Sequence, residues 1–252
     1  MIEFEERGAV TILRMARGKG NALNLELAGA LLNTLDQLES GAARAGILTG
    51  QGNIFGAGVD LPAMVEGGAG YVREFLPMLQ RLLERIATFP KPLVAAVNGH
   101  AIAGGAILML ACDQRLLARG VATVGLTEVR VGVLFPAWAL EVARFATPPQ
   151  HFPTLILTGR TWLPEEALAR GMVDELVEPD KLLDRACETA QELAAIPAAA
   201  FAATKLAVRR PMIEAARRQT ALTEAAVVEH WCLAETLRQI ATFADRTIKR
   251  RD

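Results

Sequence analysis

The sequence predicts an α/β protein whose C-terminal part becomes wholly helical. Three observations lead there. Short apolar runs alternate with longer segments whose apolar residues recur at three-and-four spacing. Two of those runs are followed by glycine-bearing turns. Beyond Pro179 the chain is rich in Ala, Leu, Glu and Arg and reads as helix almost throughout. The expected division is an α/β core over residues 1–180 and a helical region over 181–252. No linker, low-complexity stretch or fixed-period repeat separates the two.

In chain order, GAVTILRM (8–15) alternates as a strand does, and LELAGALLNTLDQL (25–38) has helical spacing. AGILTG (45–50) is a short apolar strand closed by Gly50. After FGAGVDL, the stretch YVREFLPMLQRLLERIATF (71–89) predicts a long amphipathic helix. No charged side chain occurs from Pro92 to Cys112, and about 20 apolar residues is the length of a membrane span. Asn98, Gly99, His100, Gly104 and Gly105 interrupt it, however, so it reads as a buried strand (PLVAAV), a turn (NGHAIAGG) and a buried helix (AILMLA). ATVGL and RVGVLF are short apolar segments. LPEEALARG (163–171) places Pro164 near a helix start and Gly171 just past its end, and MVDELV (172–177) reads as a strand.

The 252 residues are 52% hydrophobic, enough for a substantial core. Lys plus Arg number 27 against 28 Asp plus Glu, and only KRR at 249–251 is locally basic. Such a balance argues against a nucleic-acid or acidic-lipid surface. Cys112, Cys187 and Cys232 are widely spaced, with no CxxC or Cys/His cluster, which predicts a reduced, cytoplasmic setting and no metal site. The start, MIEFEERGAV, carries acids where a signal peptide carries bases.

Familiar catalytic motifs are missing: there is no GxSxG, HExxH or GxxxxGK[ST]. GQGNIFGAG (50–58) approaches a dinucleotide GxGxxG, but Phe55 takes the third glycine position. His100, His151 and His230 lie far apart and read as structural or surface residues. The two glycine turns, IFGAGVDL after AGILTG and NGHAIAGGA after PLVAAV, remain. Each is able to present backbone N–H groups, and the second opens a helix. Two amides aimed at one point make an oxyanion hole for a thioester oxygen. Taken separately, each turn is equally well explained by glycine permitting a tight backbone.

Together with NALNLE (21–26), LTGQGNIFGAGVDL (48–61), KPLVAAVNGHAIAGGAILMLACD (91–113), GLTEVRVGV (125–133) and LTGRTWLPEEALARGMVDELV (157–177), these turns resemble the enoyl-CoA hydratase/isomerase (crotonase) superfamily over essentially the whole chain. The resemblance implies a crotonase-like spiral of ββα units with a C-terminal helical trimerisation region, as a homotrimer or a hexamer of paired trimers. It implies oxyanion donors at the amides of Val59 and Gly104. Coenzyme A would be carried as part of the acyl-CoA substrate, with no separate cofactor. It would run past Lys19 to Leu23, with Ala22 near the adenine and with Ala57, Asp60, Leu61, Phe243 and Arg246 as further contacts. Asp60 is also suited to stabilising its own turn.

Hydratases of this family use two glutamates, the first three residues after the oxyanion glycine. Here that position is Ile107, while the second glutamate is matched by Glu128 in GLTE. The segment VRVGVLFPAWAL (129–140) contains no further acid, and Glu141, the next one, reads as helix surface. One carboxylate facing a thioester in an apolar pocket suits proton transfer from the carbon beside the carbonyl to the gamma carbon. The resemblance is therefore closest to the 3,2-trans-enoyl-CoA isomerase branch, with Leu61, Phe75, Ile107, Phe135 and Trp138 as candidates for the acyl pocket. Hydration with one glutamate, hydrolysis and decarboxylation are alternatives on the same scaffold. A non-catalytic acyl-CoA binder and an RNA-binding relative are opposed by Glu128 and by the balanced charge.

Overall fold

In a computed structural model the described residues are 1–248, so the basic triplet at 249–251 lies outside them. The chain opens with a hairpin, β1 (Ile2–Arg7) antiparallel to β2 (Val10–Met15), followed by helix α1 (Leu25–Ser40). Three strand–strand–helix units come next. They are β3 (Ala45–Thr49), β4 (Ile54–Gly56) and α2 (Leu61–Thr88); β5 (Leu93–Val97), β6 (His100–Ile102) and α3 (Gly104–Ala111); and β7 (Gln114–Ala118), β8 (Val124–Gly125) and α4 (Glu128–Val131). The first strand of each unit joins a six-stranded sheet of order β1-β2-β3-β5-β7-β10, where β10 is Glu175–Val177. The second strand joins a four-stranded sheet of order β4-β6-β8-β9, where β9 is Thr161–Trp162. Between the units, pairing is parallel in both sheets. Each unit therefore delivers its second strand, and the turn after it, to the same side of the molecule.

Helices α5 (Ala137–Ala146), α6 (Phe152–Thr158) and α7 (Pro164–Ala169) surround β9, and a 3-10 turn at Pro179–Lys181 leads into α8 (Leu182–Ala195), α9 (Ala198–Cys232) and α10 (Ala234–Ile248). The large sheet is buried on both faces, which is why its strands read as near-continuous apolar runs. With the alternation of strand side chains, Val10, Ile12, Ala45, Ile47, Val94 and Ala96 meet Ala186 and Ala190 of α8 on one face. Leu13, Met15, Leu48, Leu93 and Val97 meet α1, α2 and α3 on the other. Helix α8, beyond the change in composition near residue 180, completes the core of what precedes it.

Helix α2 begins ten residues before the amphipathic stretch suggests. Asp60 caps it by accepting from the Ala63 N–H at 3.1 Å, and Gly68, at φ 57° and ψ −150°, kinks it. Strand β1 escapes the apolar pattern because it is an edge strand whose middle residues are exposed. Helix α9 is fastened to the core by Arg209, which is buried and donates to the carbonyls of Ala87, Ala111 and Cys112 and to Asp113 at 2.8–3.1 Å. Lys205 adds a second bond to Asp113 at 2.7 Å. Among the described residues no helix is long and apolar enough to cross a membrane.

Candidate active site

The turns that follow β4 and β6 pack directly on one another. Gly56 lies so close to α3 that a Cβ on Gly105 would sit 2.2 Å from the Gly56 carbonyl oxygen. A Cβ on Gly58, whose φ is +96°, would sit 2.9 Å from the Ala103 Cβ and 3.6 Å from the Gly104 nitrogen. Both glycines are therefore required by close approach of the two turns. Ala103 itself takes a positive φ of 50°, an uncommon conformation for a residue with a side chain, and one that turns the chain sharply into α3.

This packing leaves two amides unspent. Leu23 donates to the Gly58 carbonyl at 2.7 Å and Asp60 donates to the Leu23 carbonyl at 2.8 Å. That bridge directs the N–H of Val59, between them, away from Leu23. Gly104 is the first residue of α3, where no intrahelical acceptor exists for its N–H. Among the described residues neither amide meets an acceptor.

Val59 and Ala103 line a cavity of about 670 Å³, and Gly104 follows Ala103 in the chain as the first residue of α3. Arg17, Lys19, Ala22, Ala57, Asp60, Leu61, Pro62 and Ile102 share the wall, as do Thr127, Glu128, Val131 and Val133 from the third unit. The far end of the same chain closes it with Trp231, Phe243 and Ala244. Two carboxylates lie on this wall. Asp60 is committed to capping α2 and to an ion pair with Arg17 at 3.0 Å. Glu128, the first residue of α4, has an Oε2 atom that is out of solvent and without a hydrogen-bond partner. Burial pushes its carboxyl up to about 7, opposed only by the nearby amides of Glu128 and Thr127. No group of His, Cys, Asp and Glu able to hold a metal ion occurs among the described residues.

The structure thus brings together Glu128, Val59 and Gly104 with Lys19, Ala22, Ala57, Asp60, Leu61 and Phe243. Several other candidates lie elsewhere. Leu23 is buried off the cavity wall, its backbone bonded to Gly58 and Asp60 and its side chain packed close to Gly104. Arg246 is exposed on α10 and faces an adjoining groove with Arg130, Gly132 and Arg238. Phe75, stacked on Tyr71 with ring centroids 6.0 Å apart, and Trp138 are core residues off the cavity wall. Ile107 is off the wall too, because α3 is buried on every side and that side chain packs in the core. Phe135 is half-buried against the same core. The large apolar side chains on the cavity wall include Leu61, Val131, Val133 and Trp231. His100 is on the cavity wall, where its Nδ1 accepts from the Thr123 N–H at 3.1 Å. Glu141, expected on a helix surface, is instead buried beside Arg144.

A fold of repeated ββα units enclosing an apolar cavity, with two unpaired amides and a buried carboxyl, is the framework of an enzyme acting on a carbonyl compound. Comparison with known proteins makes the class specific. Residues 5–245 match the enoyl-CoA hydratase/isomerase family model. The chain is 36% identical to a putative enoyl-CoA hydratase of Thermus thermophilus, covering 94% of this chain and 96% of that one. It is 30% identical to the mitochondrial enoyl-CoA delta isomerase 1 of Mus musculus, covering 83% and 74%. Among solved structures, human mitochondrial delta3-delta2-enoyl-CoA isomerase matches with a TM-score of 0.94 at 25% identity, over 100% of this chain and 99% of that one. The chain belongs to the enoyl-CoA hydratase/isomerase family, and its fold is the crotonase fold.

Proposed function

We propose that this enzyme moves the double bond of a 3-enoyl-CoA to the 2-position, with Glu128 as the only proton carrier. The observation that carries this reading is the acid count on the cavity wall. Asp60 is tied to Arg17 and to the start of α2, position 107 holds a buried isoleucine, and Glu128 alone is uncommitted. In the proposed reaction the ionised Glu128 takes a proton from C2 of the substrate. The electron pair shifts into the thioester carbonyl, and the amides of Val59 and Gly104 hold the resulting dienolate oxygen. Collapse of the dienolate draws the same proton from Glu128 onto C4. Atoms balance, and no water is consumed. A carboxyl near 7 suits a group that must both accept and return a proton near neutral pH.

Coenzyme A enters as part of the substrate, and no separate cofactor is required by these steps. In this reading the nucleotide end lies toward Lys19 and Ala22, with Phe243 covering coenzyme A, and the acyl chain lies toward Leu61 and Trp231. Assembly as a homotrimer or as paired trimers, in a cytoplasmic setting, belongs to the same proposal.

Hydration is the second reading, favoured by the putative hydratase of Thermus thermophilus among the relatives. The test is incubation with a medium-chain 3-enoyl-CoA and, separately, the matching 2-enoyl-CoA, with products identified by mass and ultraviolet absorbance. Isomerisation without mass change, no water added to the 2-enoyl-CoA, and a loss of about 10²–10⁴-fold in Glu128→Gln support the proposal. Water addition to the 2-enoyl-CoA at a comparable rate would overturn it in favour of a hydratase.

A further inference from the structure

The helix that bears Glu128 is too short to hold itself. With four residues, α4 is a single turn, and isolated turns of helix do not persist in water. Its exit is gripped from about one hundred residues further along the chain. At the end of α9, the His230 Nε2 lies 3.1 Å from the Gly132 carbonyl oxygen and the Trp231 Nε1 donates to the Leu134 carbonyl at 2.8 Å. Because a carbonyl only accepts, His230 must carry its proton on Nε2 to make that bond. From α10, Gln239 presses on Gly132 so closely that a Cβ there would sit 2.2 Å from its Oε1. Within the turn, Gly132 and Val133 donate back to the carbonyl of Glu128 itself at 3.1 and 3.2 Å. The backbone of the carboxylate-bearing residue is therefore one hydrogen bond removed from the segment that the α9–α10 corner holds.

Trp231 has a second relation to the site. Its indole is only 3% exposed and forms part of the cavity wall, so the group that grips the loop also keeps water from the space around Glu128. Arg17, Lys19, Asp60 and His100 share the cavity wall with Glu128, while the charged groups around this corner are Arg130 on α4 and Glu235, Arg238 and Arg246 on α10. The corner groups line the outer groove rather than the cavity.

We propose that Trp231 and His230 are positioning residues for Glu128, setting both its placement and its exclusion from water through the Leu134 and Gly132 carbonyls. This rests on the isomerase reading only in taking Glu128 as the group that carries the proton. Side chains that merely brace a helix corner would affect unfolding. Positioning residues also affect kcat and the titration of the carboxyl.

The experiment compares wild type with Trp231→Phe, which keeps a ring but removes the donor, and with His230→Gln and His230→Met, which keep and remove a donor near the Nε2 position. Readouts are kcat, KM and the pH dependence of kcat on a 3-enoyl-CoA, together with the Glu128 carboxyl band by infrared titration, assigned by its loss in Glu128→Gln. Trp231→Phe is expected to lose about tenfold in kcat with KM within about threefold, and its Glu128 titration is expected to fall by about one pH unit as water enters. His230→Met should move in the same direction and His230→Gln should stay near wild type. Variants that lower the melting temperature but leave kcat and the titration unmoved would overturn the proposal. If Trp231→Phe does not fold, the His230 pair decides by the same criteria. If wild type does not isomerise the 3-enoyl-CoA, the functional reading fails, while the infrared titration still decides whether the corner controls Glu128.

Discussion

Replacing Glu128 by glutamine is expected to stabilise the folded protein at alkaline pH while it removes the activity. The carboxyl titrates near 7 in the folded chain against an ordinary 4.5. Below pH 4.5 both folded and unfolded chains bind the proton, and the group adds no pH dependence. Between 4.5 and 7 the unfolded chain has released a proton that the folded chain keeps, so stability falls as pH rises; above 7 the full cost stands. At about 1.4 kcal/mol per pH unit, and allowing for solvent that reaches the open side of the cavity, Glu128 costs the fold about 2–3 kcal/mol at pH 8.5. Glutamine is neutral throughout. The desolvation of its amide is constant with pH and cancels when two pH values are compared. The assay is urea unfolding of wild type and Glu128→Gln at pH 4.5 and pH 8.5, at one protein concentration. The stability difference should move by about 2–3 kcal/mol in favour of glutamine over that interval. A difference that stays flat with pH would refute the reasoning, because it would mean that the Glu128 carboxyl titrates alike in both states.

The same titration should appear in the kinetics: kcat/KM for a 3-enoyl-CoA is expected to rise through about pH 7 and level above it, as Glu128 of the free enzyme loses its proton, and a pH–rate profile checks this. Gly58→Ala places a Cβ 2.9 Å from that of Ala103 at a φ of +96°, forcing apart the turns that carry the Val59 and Gly104 amides. A loss of about 10²-fold or more in kcat is expected, with the circular-dichroism spectrum retained. Arg209→Ala removes the Arg209 donor from three carbonyls and leaves Asp113 with Lys205 as its remaining cation and the Leu93 N–H as a further donor. It should cost about 3–5 kcal/mol in denaturant unfolding.

Much of this architecture is written in local pattern. The runs VTILRM, AGILT and LVAAV are apolar at nearly every position because both faces of the large sheet are covered, and the turns after β4 and β6 announce themselves through glycines that close packing requires. What local pattern does not carry is the direction in which a buried segment faces. Every residue of α3 is buried, so no periodicity distinguishes a core face from a cavity face, and Ile107 looks the same in either. Phe75 and Trp138 are large and apolar for the same reason that any core residue is. Trp231 and Val133 emerge as wall residues only when α9 and α10 fold back over the third unit, a contact between segments about one hundred residues apart.

In the proposed reading, the two amides and the carboxylate are indicated by different features of the sequence. A backbone amide is available at any residue, so Val59 and Gly104 are marked by the glycines that free the turns around them and not by their own side chains. Glu128 is marked by chemistry that the surroundings withhold. A carboxylate on a wall that supplies one committed ion pair and otherwise mostly apolar groups gains basicity from the same desolvation that costs the fold stability. A second free acid would ease the design of a water-activating site but would also repel the first and bring water with it. In the proposed reading, the buried isoleucine at 107 and the spent carboxylate of Asp60 leave Glu128 as the one carboxyl on the cavity wall free to carry a proton, and one proton carrier suffices to move a double bond without adding anything to it.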